Sequence, residues 1–368
     1  MKTLFHILLT IVFGNELWAQ SRTEIQHKIA SEILMENRYI TVGLPKYYES
    51  SVENYGVVYV LDGEYAFDYA QGAVSFLSNA FGHMPPLLVV SIPNVDRVRD
   101  MYVNYEVDGG YLNFLAFIKR ELMPFINQNY RTNQFDILYG WSSSSNINMQ
   151  FLANDPDLFD AHIQTGTGIG AKTAAYFNEK LPQNTYEKCY LYASTEKGPR
   201  VPGLLKYEQV VKQAERENLT YKFQILDDAS HVGAITEGLY EGLRFIFDEF
   251  YIPDTIVVKG KNEILDYYYE IDERYHFEIK IPEGAIGESA GLLFQAGNPD
   301  DAIALLRHGM KLHPHSYDLP GTLAEVYEYL DKKDLAAELY LKASQKAKTD
   351  SPSYQKYKHL YEKVKVAK

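Results

Sequence analysis

The sequence predicts an α/β fold, a mostly parallel sheet covered by helices, followed by a small all-α tail. Three observations predict it. Short apolar runs alternate with segments of helical spacing over most of the chain. Several of those runs are apolar throughout, as strands buried on both faces of a parallel sheet must be. From about Ile286 onward only helical spacing remains, and the pattern repeats.

The chain begins with Lys2, a short apolar run from Leu4 to Phe13 and the small residue Ala19, the layout of an export signal over residues 1–20. That run is too short to span a bilayer, and no membrane span is expected after cleavage. The protein is therefore expected to be exported, to the periplasm or the exterior of a bacterium. Cys189 is the only cysteine, so an internal disulfide is excluded, and its apolar surroundings read as those of a small buried side chain.

With 368 residues, two units are expected. A hydrophobic fraction of 46% beside 23% charged residues is that of a folded globular protein. The formal charge of -13, with no basic stripe, argues against nucleic acid as a partner. The sequence holds no HExxH, no metal-spaced cysteine pairs, no Walker loop and no dinucleotide fingerprint, and His313-Pro314-His315 is too sparse for a metal site, so neither cofactor nor metal is expected.

In chain order, Ile25 to Ser31 and Arg38 to Leu44 alternate as strands. Val57 to Leu61, Leu87 to Ile92, Phe135 to Tyr139, His162 to Gln164, Lys188 to Ala193 and Tyr221 to Ile225 are the strands that follow. Tyr65 to Asn79, Tyr111 to Asn129, Asn146 to Asn154, Pro202 to Glu217 and Ile235 to Phe250 have helical spacing. This gives a main domain over 21–254, a connecting segment over 255–285 and helical repeats over 286–368. In the tail, Gly297 to Ala302 aligns with Asp331 to Ala336 at an offset of 34 residues, the tetratricopeptide period. Ala302 then falls on Ala336 and Leu306 on Tyr340. An unrelated pair of helical hairpins is the plainer alternative.

Ligands of such sheets sit beyond the carboxyl ends of the strands. There, Gly140-Trp141-Ser142-Ser143-Ser144 joins a strand to a helix, close to the G-x-S-x-G elbow that lifts a serine oxygen above a sheet. The plainer reading of Ser142 or Ser143 is a helix N-cap. A nucleophilic serine needs a base, and the base needs a group that fixes it. His231, between the last strand and a helix, is the candidate base, whereas His162 lies in a strand and reads as core. Glu196, after the strand from Lys188, is the candidate acid, with Asp227 and Asp228 weaker. The N–H of Ser143 and one from Gly63 or Glu64, after the early strand, are the candidate oxyanion donors.

Taken together, the segments Val60 to Glu64, Ile92 to Asp100, Glu121 to Ile126 with Tyr130-Arg131-Thr132, and Pro156 to Asp160 resemble the putative esterase family of α/β-hydrolases, which includes siderophore esterases and S-formylglutathione hydrolases. The tail resembles the tetratricopeptide extension of some bacterial members. The resemblance implies an α/β-hydrolase fold, Ser142 as nucleophile, His231 as base and Glu196 as acid. The sequence departs from the family where Trp141 replaces a histidine and where Ser144 and Ser145 replace glycines. Those departures bear on efficiency and substrate shape more than on fold. Trp141, Arg97 and Arg99 are candidates for substrate contact, although bracing of a loop through Asp96 and Asp100 is the favoured role of the two arginines.

The expected function is that of an exported serine esterase cleaving a small-molecule ester through an acyl-enzyme. The alternative is an inert hydrolase-like scaffold whose repeat tail binds a protein partner. An acyltransferase differs from the esterase only in the acceptor that resolves the acyl-enzyme.

Overall fold

The computed structural model describes residues 23–104, 109–275 and 280–366. The expected export signal, residues 1–20, lies outside them. Among the described residues, no helix is long and apolar enough to cross a membrane.

The chain divides into two compact units, one of Arg22–Ser78 and His83–Phe250, the other including Asn79–Gly82 and Tyr251–Lys368. The first carries β1 (Glu24–Ser31), β2 (Glu36–Gly43), β3 (Tyr55–Leu61), β4 (Leu87–Ile92), β5 (Thr132–Trp141), β6 (Ala161–Thr165), β7 (Cys189–Glu196) and β8 (Leu219–Leu226). They form one sheet in the order β1-β2-β4-β3-β5-β6-β7-β8. The β1–β2 and β2–β4 pairings are antiparallel and all the others parallel. Each predicted strand is present. β3, β4 and β6 are buried along their whole length, and β3 and β4 accordingly read as nearly continuous apolar runs.

The connecting helices of this unit are α1 (Gly63–Ser75), α2 (Arg97–Met101), α3 (Gly110–Phe117), α4 (Met123–Asn129), α5 (Ser143–Asn154), α6 (Ala171–Lys180), α7 (Val201–Ala214) and α8 (Ala234–Ile246). The helix expected from Tyr111 to Asn129 is divided by a π turn, Ile118–Leu122, just before Pro124, which has no N–H to donate to the helical ladder. α1 and α8 pack on each other and against the sheet. α5 joins two apolar clusters: Ile147 and Phe151 pack with β3, β4 and the helices α3 and α4, while Met149 and Leu152 pack with α6, α7 and β7. The start of α5, and with it the elbow at Ser142, is thus fixed in the middle of the sheet.

The second unit is helical. The stretch 255–285, expected as a connection, contains α10 (Lys261–Tyr275) after the short α9 (Asp254–Val257), and α10 buries Ile264, Tyr268 and Ile271. Then come α11 (Glu283–Gln295), α12 (Pro299–Leu312), α13 (Asp318–Tyr329), α14 (Lys333–Lys346) and α15 (Pro352–Val366), each packed on the next. The starts of α12 and α14 keep the 34-residue spacing of the repeat. Ala302, Leu306, Ala336 and Tyr340 are all fully buried, in the small and bulky packing places that the alignment assigns them.

Candidate active site

Ser142 has φ 58° and ψ -116°, a backbone that a side-chain-bearing residue adopts only where its surroundings enforce it. Here its N–H is tied to Thr165 O at 2.9 Å and its carbonyl accepts from Ser145 N at 3.1 Å. It occupies the N-cap position of α5, yet its hydroxyl makes no capping bond. The Oγ instead lies 3.1 Å from His231 Nε2.

The two serines that stand where glycines were expected are fully buried and hold the elbow together. Ser144 Oγ accepts from Trp141 N at 2.7 Å and donates to Trp141 O at 2.9 Å. Ser145 Oγ is 2.9 Å from Gly140 O and 3.0 Å from Thr165 O. Ser145 thus links the ends of β5 and β6, and Ser144 ties the peptide of Trp141 to the first turn of α5. Gly166, with φ 57°, lets the chain pass close to this corner, since a Cβ there would stand 2.9 Å from His231 Cε1 and 3.0 Å from the indole of Trp141.

His231 lies in the turn between β8 and α8. Its ring is tilted over Trp141, with centroids 4.8 Å apart, and its carbonyl accepts from Trp141 Nε1 at 2.8 Å. Trp141, expected to touch substrate, thus holds the histidine turn. Glu196 is the last residue of β7 rather than part of the loop after it. Its Oε1 is 3.0 Å from His231 Nδ1 but off the line of the N–H, so the contact is close without being a well-aligned hydrogen bond. Such contacts often straighten only once substrate is bound. The same Oε1 accepts from Arg200 at 2.7 Å, and Oε2 accepts from the Thr195 hydroxyl at 3.1 Å. Burial pushes the Glu196 carboxyl up, but its own main-chain N–H together with His231 and Thr195 outweighs burial and holds it below the usual range. Asp227 is exposed on Lys197, 3.1 Å away, and Asp228 is exposed as well. His162 is core: it is fully buried on β6 with Nδ1 2.6 Å from Asn148 Oδ1, and burial pushes it down to about 3.

The register Val60↔Tyr139 brings β3 and β5 out of the sheet side by side, so the turn at Asp62 and Gly63 neighbours the elbow. Among the described residues, the N–H groups of Gly63, Glu64 and Ser143 have no acceptor, as expected for the first turn of a helix. Asp62, at φ 53°, is gripped by Arg97 through two bonds of 2.7 and 2.9 Å. Asn94 bridges Asp62 and Glu64 with bonds of 2.7 and 2.6 Å. Arg99 binds Glu36 and Asp100, holding Glu36 down to about 2, and Arg38 joins the same cluster through Asp100 at 2.9 Å. Both candidate arginines therefore brace. Arg97 does so through Asp62, a partner 35 positions away, while Asp96 caps α2 by accepting from Arg99 N.

A cavity of about 420 Å³ opens beside Ser142 and Ser143, bounded by the loop Gly166 to Gly170, Asn146 and the start of α7. Gly63 and Glu64 do not line it. Residues 31–167 match the model of the putative esterase family, and residues 293–358 match a tetratricopeptide repeat. No curated protein matches the chain. Among solved structures, an IroE-like serine hydrolase from Shewanella oneidensis is 24% identical with a TM-score of 0.65, over 78% of this chain and 99% of its own. A protein from Capnocytophaga ochracea is 18% identical with a TM-score of 0.62, over 94% of this chain and 100% of its own. The BES protein from Bacillus cereus is 19% identical with a TM-score of 0.53, over 62% of this chain and 97% of its own. At these identities the likeness is one of fold, and its extent in the second case takes in the repeats as well.

Sequence reading missed Asn94 and Arg200. Asn94 follows Pro93 directly after β4, and such strand-exit positions facing a neighbouring helix start are a usable signal. Arg200 lies four residues beyond Glu196, so its pairing was open to the i,i+4 rule only if α7 began there.

Proposed function

We propose that this protein is an exported serine esterase that works through an acyl-enzyme on Ser142. The observation that carries the reading is the line Ser142 Oγ, His231 Nε2, His231 Nδ1 and Glu196 Oε1, with steps of 3.1 and 3.0 Å, ending on an elbow of positive φ. With the Nδ1 proton facing the carboxylate, Nε2 is free to accept the serine proton as Oγ bonds to the ester carbonyl carbon. The carbonyl oxygen gains charge, and the N–H of Ser143 with that of Gly63 or Glu64 are the groups that would stabilise it. As the carbon–oxygen bond to the alcohol breaks, His231 returns the proton to the leaving oxygen. Water then adds to the acyl-enzyme, gives its proton to His231, and the acid leaves as the proton returns to Ser142.

The family match supports ester chemistry, and the arrangement of Lys2, the apolar run and Ala19 supports export. A fluorophosphonate probe is expected to label the wild-type protein and not Ser142→Ala, with aryl-ester turnover lost in parallel. A protein that is neither labelled nor active would instead be the scaffold whose repeats bind a partner. Addition of alcohols to a turning-over reaction, with product analysis, separates hydrolysis from acyl transfer.

A further inference from the structure

Resting on the esterase reading, we infer that the cavity beside Ser142 receives an anionic group of the substrate and that Arg200 binds it. The lining is mostly main chain and polar side chains: Ser142, Ser143, Asn146 and Thr167, with Ile169 and Pro199 the hydrocarbon exceptions. Such walls offer little to a long aliphatic chain, which gains affinity by burying apolar surface. Arg200 is the one charged residue among those that line the cavity.

Its guanidinium is also underused. It carries five N–H donors in a planar fork. One of them binds Glu196 Oε1 at 2.7 Å, and among the described residues no other acceptor is paired with it. The side chain is 42% exposed, so the remaining donors are within reach of a ligand. The two arginines of α2 differ. Arg97 is held through two bonds by Asp62, and Arg99 by Glu36 and Asp100. An open fork with spare donors in a polar cavity next to the proposed nucleophile matches a carboxylate or a similar planar anion. The formal charge of -13 opposes the approach of anions in general, so a preference for them has to come from a local group such as this one.

The test uses matched esters that differ only in a carboxylate or a carboxamide. 4-Acetoxybenzoate against 4-acetoxybenzamide places the anion on the alcohol half. 4-Nitrophenyl 4-carboxybenzoate against 4-nitrophenyl 4-carbamoylbenzoate places it on the acyl half. In one pair the wild-type full chain is expected to favour the carboxylate in kcat/KM by about tenfold, the scale of one charge-assisted contact. In Arg200→Ala the ratio is expected to fall to near one, and in Arg200→Lys to lie between. Because Arg200 also touches Glu196, any disturbance of His231 acts on both members of a pair and cancels in the ratio. As a second readout, terephthalate or 4-hydroxybenzoate should slow fluorophosphonate labelling of the wild type and not of Arg200→Ala. Ratios near one in both pairs, or a ratio that survives Arg200→Ala, would overturn the inference while Ser142-dependent labelling and turnover stand. Absence of all labelling and turnover would sink the esterase reading and this inference with it.

Discussion

Trp141 Nε1 donates to the main-chain oxygen of His231 at 2.8 Å, across 90 positions of sequence. The residue before the proposed nucleophile thus fixes the turn that carries the proposed base. A smaller aromatic ring without the N–H keeps part of the tilted packing and removes that bond. Trp141→Phe is therefore expected to fold normally and to lose about 3- to 10-fold in kcat, the range of one modest hydrogen bond, with KM little changed. Steady-state kinetics on an aryl acetate check it. A rise in KM with kcat intact would return Trp141 to substrate contact.

Gly63 makes an equally close demand. A Cβ at this position would stand 2.2 Å from Ser91 Oγ and 2.7 Å from Ile92 N, so alanine has to push the turn off the end of β4. The N–H groups proposed as oxyanion donors move with it. Gly63→Ala is expected to cost roughly 10- to 100-fold in kcat through a displaced donor, while fluorophosphonate labelling slows but persists. Stability should fall by about 1–3 kcal/mol, as for other overpacked sites, in urea melts. Unchanged kinetics in a folded Gly63→Ala protein would remove this turn from the site.

Much of this architecture is legible in the sequence because buried parallel strands leave unbroken apolar runs such as Val57 to Leu61. The ends were less so. Thr195 and Glu196 are polar, yet both remain in β7 and are buried, because hydrogen bonds at the site replace water around them. Helix α6 went unread since it buries only Ala174 and Phe177, a stripe too thin to show a period. Ser142, His231 and Glu196 could be proposed from their places after strands, whereas the partners of Trp141 and Arg97 depend on contacts across long separations. Neighbouring Asp96 was the obvious mate for Arg97, and the distant Asp62 took it because the β3 and β4 exits lie side by side.

The repeat can be tested at its turns. Gly297 N donates to Phe294 O and Asn298 N to Leu293 O, and one period later Asp331 N donates to Glu328 O and Lys332 N to Tyr327 O. Both turns are left-handed, with φ 85° at Gly297 and 54° at Asp331. The second bears a side chain where the first has none, and Asp331 is 87% exposed with a contact to Lys333 of 3.7 Å that contributes little. Relief of left-handed strain should make Asp331→Gly more stable by roughly 0.5–1 kcal/mol. Slower hydrogen exchange of amides in 333–346 of the full chain is the expected sign, and faster exchange would mean that Asp331 is not strained.

Asp136 gives the main unit a pH dependence. It is buried on β5 with Oδ1 lacking a partner among the described residues, and burial followed by the nearby charge of Asp160 pushes it up to about 8. Asp160 is itself raised to about 6, again by burial first. A carboxyl of the unfolded chain ionises near 4, so between that pH and about 8 the folded protein holds a proton that the unfolded chain has released. The stability linked to this proton is present in full below the unfolded value and is lost as pH rises through the folded one. Asp136→Asn is neutral at every pH and removes the loss. In urea melts from pH 5 to pH 8.5 the wild type should weaken steadily as pH rises, and Asp136→Asn should show a flatter line that lies above it at the alkaline end. Parallel lines would mean that Asp136 ionises alike in the folded and unfolded chains.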